Sequence, residues 1–174
     1  MKISINMCCM EYRGGAVQSD LPMVRLDETR HEQYQQLIDD CFFALRQQLN
    51  VQPYDKQSRA LEPLPQLLEH TWLHLHGDDV VCAVSLPPNK IRNVVVHPRF
   101  QRQGYGRRLM HAALAQLQQR GDSPIRLNVA KVNHHAHALY ESLGFVCVDE
   151  FVVHGENVRD EHGNVGFEES EQEA

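Results

Sequence analysis

The chain has 174 residues, 42% of them hydrophobic and 23% charged, with a formal net charge of -6. That length and apolar content allow one domain with a sizeable core, and no shift in composition marks a second. The acidic balance, without clustered lysine and arginine, argues against a nucleic-acid partner and mildly suits a cationic acceptor.

Cysteines at positions 8, 9, 41, 82 and 147 form no C-x-x-C pair, and an odd number cannot close completely into internal disulfides. A reduced, cytoplasmic setting is the simpler expectation. Residues 1–10 carry one lysine and a few apolar side chains, but Asn6 interrupts the run and Glu11 follows too soon for a signal-peptide core. No stretch is long enough to span a membrane, so no membrane partner is expected. Residues 1–22 therefore read as an N-terminal extension to a domain that begins at residue 23.

Residues 24–26 read as a short strand. Thr29 and Glu32 have the spacing of a capping box, after which Tyr34, Leu37, Ile38, Cys41, Phe42, Leu45 and Leu49 recur on one helical stripe. Cys41 is core filler on that stripe rather than a nucleophile. Pro53, Pro63 and Pro65 punctuate the next stretch, with one short helix expected over 65–70. Alternation predicts strands over 72–76 and 80–86, joined by a hairpin turn at Gly77, Asp78 and Asp79. Pro87 and Pro88 end the second, and a buried strand follows over 91–96. Leu109, Met110, Ala113, Leu114 and Leu117 form the apolar face of the next helix, which Gly121 stops. A strand over 127–129 and a helix capped by Asn133 and ended by Gly144 complete a strand, helix, strand order. That order implies a parallel pair with a right-handed crossover.

Between the strand at 91–96 and its helix lie Gln101, Arg102, Gln103, Gly104, Tyr105 and Gly106. Such a turn leaves backbone N–H groups unpaired at a helix N-terminus, and bare glycines admit an anion closely. The same two glycines also suit a plain strand-to-helix turn. No G-x-x-x-x-G-K-[ST] is present, and Leu109 stands where the dinucleotide fingerprint needs a third glycine. Nucleotide hydrolysis and hydride transfer both lose support.

Val96, Pro98, Gln101, Gly104 and Gly106 resemble the Q/R-x-x-G-x-G/A signature of the GCN5-related N-acetyltransferases. Asn133, Ala136, Leu139, Tyr140, Gly144 and Phe145 resemble that family's second block, N-x-x-A-x-x-L-Y-x-x-x-G-F. The resemblance, over about residues 91–148, implies a mixed α/β fold. Its mostly antiparallel twisted sheet has a splayed parallel central pair and flanking helices, in an acetyltransferase domain over 23–155. It also implies that Gln101, Arg102, Gln103, Gly104, Tyr105 and Gly106 hold the pyrophosphate of acetyl-coenzyme A, while backbone groups of Val94, Val95 and Val96 pair with the pantetheine arm. Arg102 and Arg107 are expected to meet phosphates. Asn133 is expected at the pantetheine or the strand end, although helix capping alone accounts for it equally well.

Acetyl transfer to an amine needs a neutral nucleophile, a donor for the oxyanion and an acid for the departing thiolate. The resemblance makes Tyr140 the expected acid, against a bland reading as a packed core tyrosine. A backbone N–H near Val95 or Val96 is the expected oxyanion donor. Many family members carry a glutamate base where this chain has Arg92, which leaves a water relay, an already deprotonated substrate, Asp55, Glu69, His74 or His76 as routes for the proton. The expected activity is direct transfer of acetyl to an amine of a small molecule or protein terminus, and a homodimer is compatible with it. The alternative is a non-catalytic acyl-coenzyme A binding or sensing protein, which Arg92 favours and Tyr140 opposes.

His134 and His137 stand one helical turn apart, but no H-E-x-x-H or carboxylate companion completes a site, so no metal is expected. After Phe145, alternation through Val148 and over 151–153 predicts closing strands. Glu156, Asp160, Glu161, Glu168, Glu169, Glu171 and Glu173 mark residues 156–174 as an acidic tail, solvated and expected to lack a fixed fold.

Overall fold

Alternation along Lys2–Tyr12 makes β1, whose buried side changes midway along the strand. Ile3, Ile5 and Met7 pack into one cluster, whereas Cys8 and Met10 face another, so neither face shows an unbroken apolar stripe. In this computed structural model, which describes residues 1–170, β1 lies between two later strands. These are β6 (Arg126–Ala130) and β7 (Phe145–Arg159), both antiparallel to it, and β8 (Val165–Glu169) completes a four-stranded sheet in the order β6-β1-β7-β8.

The second sheet has the order β2-β3-β4-β5, formed by Val24–Arg25, Thr71–His76, Asp79–Ser85 and Arg92–Val96, and all of its pairs are antiparallel. One face packs against α1 (His31–Leu49) and α2 (Leu64–His70). There Tyr34, Leu37 and Ile38 meet Leu67, Leu73, Ala83 and Val95. The opposite face packs on α3 (Tyr105–Arg120) and, with β1, on α4 (His134–Ser142). Leu109, Met110, Leu114 and Leu117 of α3 share that cluster with Val81, Val84, Met10, Tyr140 and Phe145.

The sheets adjoin at one parallel bridge, Lys90 to Arg126, fixed by Ile91 N–H donating to Arg126 O and Arg126 N–H donating to Asn89 O, each at 3.0 Å. Beyond it, no ladder joins β5 to β6 among the described residues. The expected parallel pair is thus reduced to a bridge at one end, in a mixed α/β fold that is otherwise antiparallel. A bulge further bends β5: Ser85 faces Arg92 and Ala83 faces Val95, so three residues of β5 span two of β4, with Asn93 at φ 50°.

Several expectations change. Residues 2–12, read as part of an extension, form the second strand of a sheet, because their apolar side chains split between two faces. The region read as an acidic tail contributes the end of β7 and β8 through residue 169, because its carboxylates point outward from a hairpin that keeps Val158, Val165 and Phe167 half-buried. Glu171 and Glu173 lie outside the described residues. The two expected closing strands are one continuous β7. Asp27, rather than Thr29, caps the entry to α1: its Oδ1 accepts Arg30 N–H at 3.1 Å and the Thr29 hydroxyl at 2.6 Å, starting a short 3-10 turn. Cys8 and Cys147, 139 residues apart, are joined as a disulfide between β1 and β7, while Cys9, Cys41 and Cys82 are thiols. The strand insertion brings that pair together, and counting cysteines had no access to it.

The loop after α1 is tied to β7 by one side chain. Asn157 donates to Asn50 O at 2.8 Å and accepts Gln52 N–H at 2.9 Å, beside Val51, Ile3, Val153 and Phe167. Asn157→Ala leaves both partners unpaired, with an expected loss of about 1–3 kcal/mol, read as a lowered denaturant midpoint.

Candidate active site

His97 and Pro98 end β5, and a single 3-10 turn, Pro98–Phe100, leads to the glycine turn. Gln101 Nε2 donates to Val96 O at 3.0 Å and Gln103 Nε2 to Arg99 O at 3.2 Å, so both amides brace the turn from behind. Arg102 (φ 61°) and Gly104 (φ 84°) take left-handed conformations that alternate with ordinary ones. This alternation gathers successive N–H groups into a concave nest. None of the backbone N–H groups of residues 102–107 finds an acceptor among the described residues. The α3 dipole adds roughly half a positive charge at the same place. The result is an electropositive concavity made of backbone, a candidate anion site.

Glycine is required at Gly104 by its positive φ. At Gly106 a Cβ would meet Leu139 and Val96 only at 3.5 and 4.0 Å, which is ordinary contact, so the chain's own packing leaves that backbone bare for an approach from outside. The neighbouring side chains divide their tasks. Arg102 is exposed and has no partner among the described residues, whereas Arg107 Nη2 donates to Ser142 Oγ at 2.8 Å and ties α3 to α4. Tyr105 packs among His74, Phe100 and the Arg108 guanidinium, at 5.8, 6.1 and 5.6 Å.

Past the Lys90 bridge, the edge of β5 that faces away from β4 borders a slot toward β6. Val94 and Val96 pack toward α3, and Val95 toward α1. Tyr140 on α4 is 8% exposed and packs on Phe145 at 6.0 Å. Its hydroxyl bonds no described residue, and burial pushes the phenol up to about 12. It is thus a neutral donor across the whole neutral range. Asn133 accepts Ala136 N–H at 3.4 Å, so it does cap α4.

The candidate proton acceptors are scattered. Arg92 is exposed at the β5 bulge, and Glu69 is exposed on α2. Asp55 opens on a hollow with Gln36, Asp39, Asp40, Phe43 and Lys56, away from β5 and the turn. His74 lies with Nδ1 2.7 Å from Pro22 O and stacks near Tyr105, while His76 packs on Phe100. His137 approaches Glu141 at 3.6 Å, and no group of three metal-binding side chains occurs among the described residues. Sequence reasoning missed the bulge at Asn93, because its only signal is a left-handed φ.

A strand, a glycine turn and a helix with bare amides thus stand together beside the opening between β5 and β6. The model of the Acetyltransferase (GNAT) family matches residues 31–145, and the chain belongs to that family. Among curated proteins it is 42% identical over 65 residues to a [ribosomal protein bS18]-alanine N-acetyltransferase of Haemophilus ducreyi, covering 37% of this chain and 45% of that one. It is 41% identical over 78 residues to the Salmonella typhimurium enzyme of the same name, covering 42% and 53%. The chain thus spans about half the length of these relatives. Among solved structures, a GCN5-related N-acetyltransferase from Sphaerobacter thermophilus superposes with a TM-score of 0.63 at 13% identity, over 87% of this chain and 51% of that one. The ribosomal-protein-S18-alanine N-acetyltransferase of Escherichia coli does so with 0.53 at 18% identity, over 83% and 87%. At these identities the superpositions establish the fold alone.

Gly104→Glu forces a side chain onto φ 84° and sets a carboxylate among six amide donors. Titration calorimetry with acetyl-coenzyme A is expected to show affinity weakened at least about tenfold, or ~1.4 kcal/mol, with the circular dichroism of the fold unchanged.

Proposed function

We propose that the protein transfers acetyl from acetyl-coenzyme A directly to an amine, with a protein N-terminus favoured over a free small molecule as acceptor. The observation that carries this reading is the run of six unpaired backbone N–H groups at residues 102–107, opening beside the slot between β5 and β6. The names of the curated relatives support an N-terminal amine, and the net charge of -6 suits a cationic one. A cytoplasmic setting fits that choice.

In this reading acetyl-coenzyme A supplies the activated acyl group. Gln103, Gly104, Tyr105 and Gly106 receive its pyrophosphate through their amides, with Arg102 reaching the phosphates and Gln101 holding the turn against Val96. Arg107 supports the site through Ser142, and Asn133 through the cap of α4. The free edge of β5 at Val94, Val95 and Val96 pairs with the pantetheine amides as an added strand. A backbone N–H near Val95 or Val96 faces the developing oxyanion. Tyr140 gives its proton to the departing thiolate.

A second reading, a non-catalytic acyl-coenzyme A sensor, is favoured by one observation, the arginine at position 92. Thiol release in the presence of a panel of N-terminal peptides and small amines separates the two. Turnover supports the transferase; tight acetyl-coenzyme A binding with no turnover on any amine supports the sensor. Tyr140→Phe is expected to lower kcat about 10²-fold with acetyl-coenzyme A affinity unchanged. Because burial raises this phenol to about 12, its ionisation costs the wild type no activity between neutral and mildly alkaline pH, and a steep loss across that range would count against the assignment.

A further inference from the structure

Arg46, in the last turn of α1, is the one charged side chain that is buried among the described residues, at 9% exposure. A guanidinium keeps its charge in such surroundings, so its N–H donors need acceptors or an anion. Neutral groups meet part of that need: Nε donates to Pro53 O at 2.7 Å and Nη1 to Gln57 Oε1. Those bonds brace the loop after α1, and Nη2 takes no part in them. Burial holds the guanidinium below the usual arginine range, an effect that the Asp39 charge only partly offsets. Asp39 forms no ion pair with it and is held instead by the Ser58 N–H and hydroxyl, at 2.6 and 3.0 Å.

Arg46 lines a pocket of about 420 Å³ between that loop and the β7–β8 hairpin. Pro53 and Lys56 stand with it on the loop side, and Val158, Val165 and Phe167 on the hairpin side. Apolar walls around a buried cation suit a short side chain that ends in a carboxylate. Of the acids that also border the pocket, Asp160 accepts the N–H groups of His162 and Asn164 within the hairpin turn, at 2.9 and 2.8 Å. Glu168 and Glu169 are exposed, where water and salt screen them.

The pocket stands past the open end of the slot. Leu37 and Ile38 pack with Val95, and Cys41 Sγ donates to Val96 O at 3.3 Å, so α1 runs beside β5 in the same direction. Arg46 follows Cys41 on the same helix, about 7.5 Å farther along its axis. From the other strand, Phe167 packs in one cluster with Ala130, the last residue of β6, and Val132. Both strands of the slot therefore end toward this pocket. An extended peptide covers the step from Val96 to Arg46 in two to three residues, at about 3.3 Å each.

We propose that the pocket reads an acidic side chain at the second or third residue of the acceptor peptide, with the Arg46 guanidinium receiving its carboxylate while the N-terminal amine lies at the slot. The proposal rests on the acetyltransferase reading above and narrows its acceptor from any N-terminus to an acidic one. Arg46 is a binding residue in this arrangement and takes no part in bond making, so it acts on the KM of the acceptor and leaves kcat alone.

The test uses the full chain and pairs of synthetic peptides that begin with alanine and differ only in glutamate or glutamine at the second or third residue. The wild type is expected to show a KM about tenfold lower for the glutamate member of a pair, with kcat and the KM for acetyl-coenzyme A unchanged. Arg46→Met keeps an unbranched apolar stem and is expected to abolish the preference by raising KM for the glutamate peptide alone, whereas loss of a mere loop brace raises both alike. Val165→Glu, on the same face of edge strand β8 as Phe167, sets a carboxylate at the pocket on a strand that tolerates charge and is expected to remove the preference too. It decides the matter if Arg46→Met does not fold. Equal KM values on the wild type overturn the proposal without any variant, and so does a preference that survives in a folded variant. A wild type that acetylates small amines but no peptide overturns it while leaving the transferase reading intact; one that acetylates no amine of either kind overturns both.

Discussion

Two backbone hydrogen bonds at the Lys90–Arg126 bridge decide what the rest of the molecule is for. They hold β5 and β6 together at one end and leave them free to part at the other. Parallel strands normally continue such a ladder, since each unpaired N–H or C=O in a protected place costs free energy. Here α3 and its apolar face fill one side of the divergence, and the α1 layer supports β5 on the other. The edge of β5 is therefore packed on both faces and, among the described residues, has no strand beside it past the bridge. That combination suits a ligand that can supply the missing strand.

The charge arrangement follows from the same divergence. Backbone donors at the turn provide positive potential that cannot be titrated away, and the dipole of α3 reinforces it without a lysine. Tyr140 is buried, which keeps its phenol neutral and able to donate. Acidic surface elsewhere leaves the turn as a local exception within a chain of net negative charge. In the proposed reading, binding an anion and delivering a proton are divided between main chain and side chain.

Much of this was legible in the residues, and the parts that were not share a cause. The α1 stripe from Tyr34 to Leu49, the α3 face around Leu114 and the stop at Gly121 follow a helical period that survives any tertiary context. The 101–106 turn was readable as a strand-to-helix junction because two glycines stand between an apolar strand run and a patterned helix. By contrast, β1 buries Ile3 and Ile5 on one side and Cys8 and Met10 on the other, which erases the alternation that marks a strand. The strand at 165–169 was hidden by its glutamates, because a hairpin edge tolerates charge on its open face. The bulge at Asn93 depends on pairing register, which no local pattern records. The tie from Arg107 to Ser142, 35 residues away, is likewise a contact that no local pattern records.

The position of β1 has a consequence for how the molecule comes together. Its partners begin at residues 126 and 145, so β1 waits for more than a hundred residues before either neighbour exists. Until then both of its edges are open, and the contacts that close the sheet have the long sequence separation that slows folding. A nascent chain can assemble β2 to β5 with α1 and α3 first and must keep β1 unattached meanwhile. Order of synthesis and order of assembly run opposite ways here, and a strand made well before both its partners is among the last to be sealed.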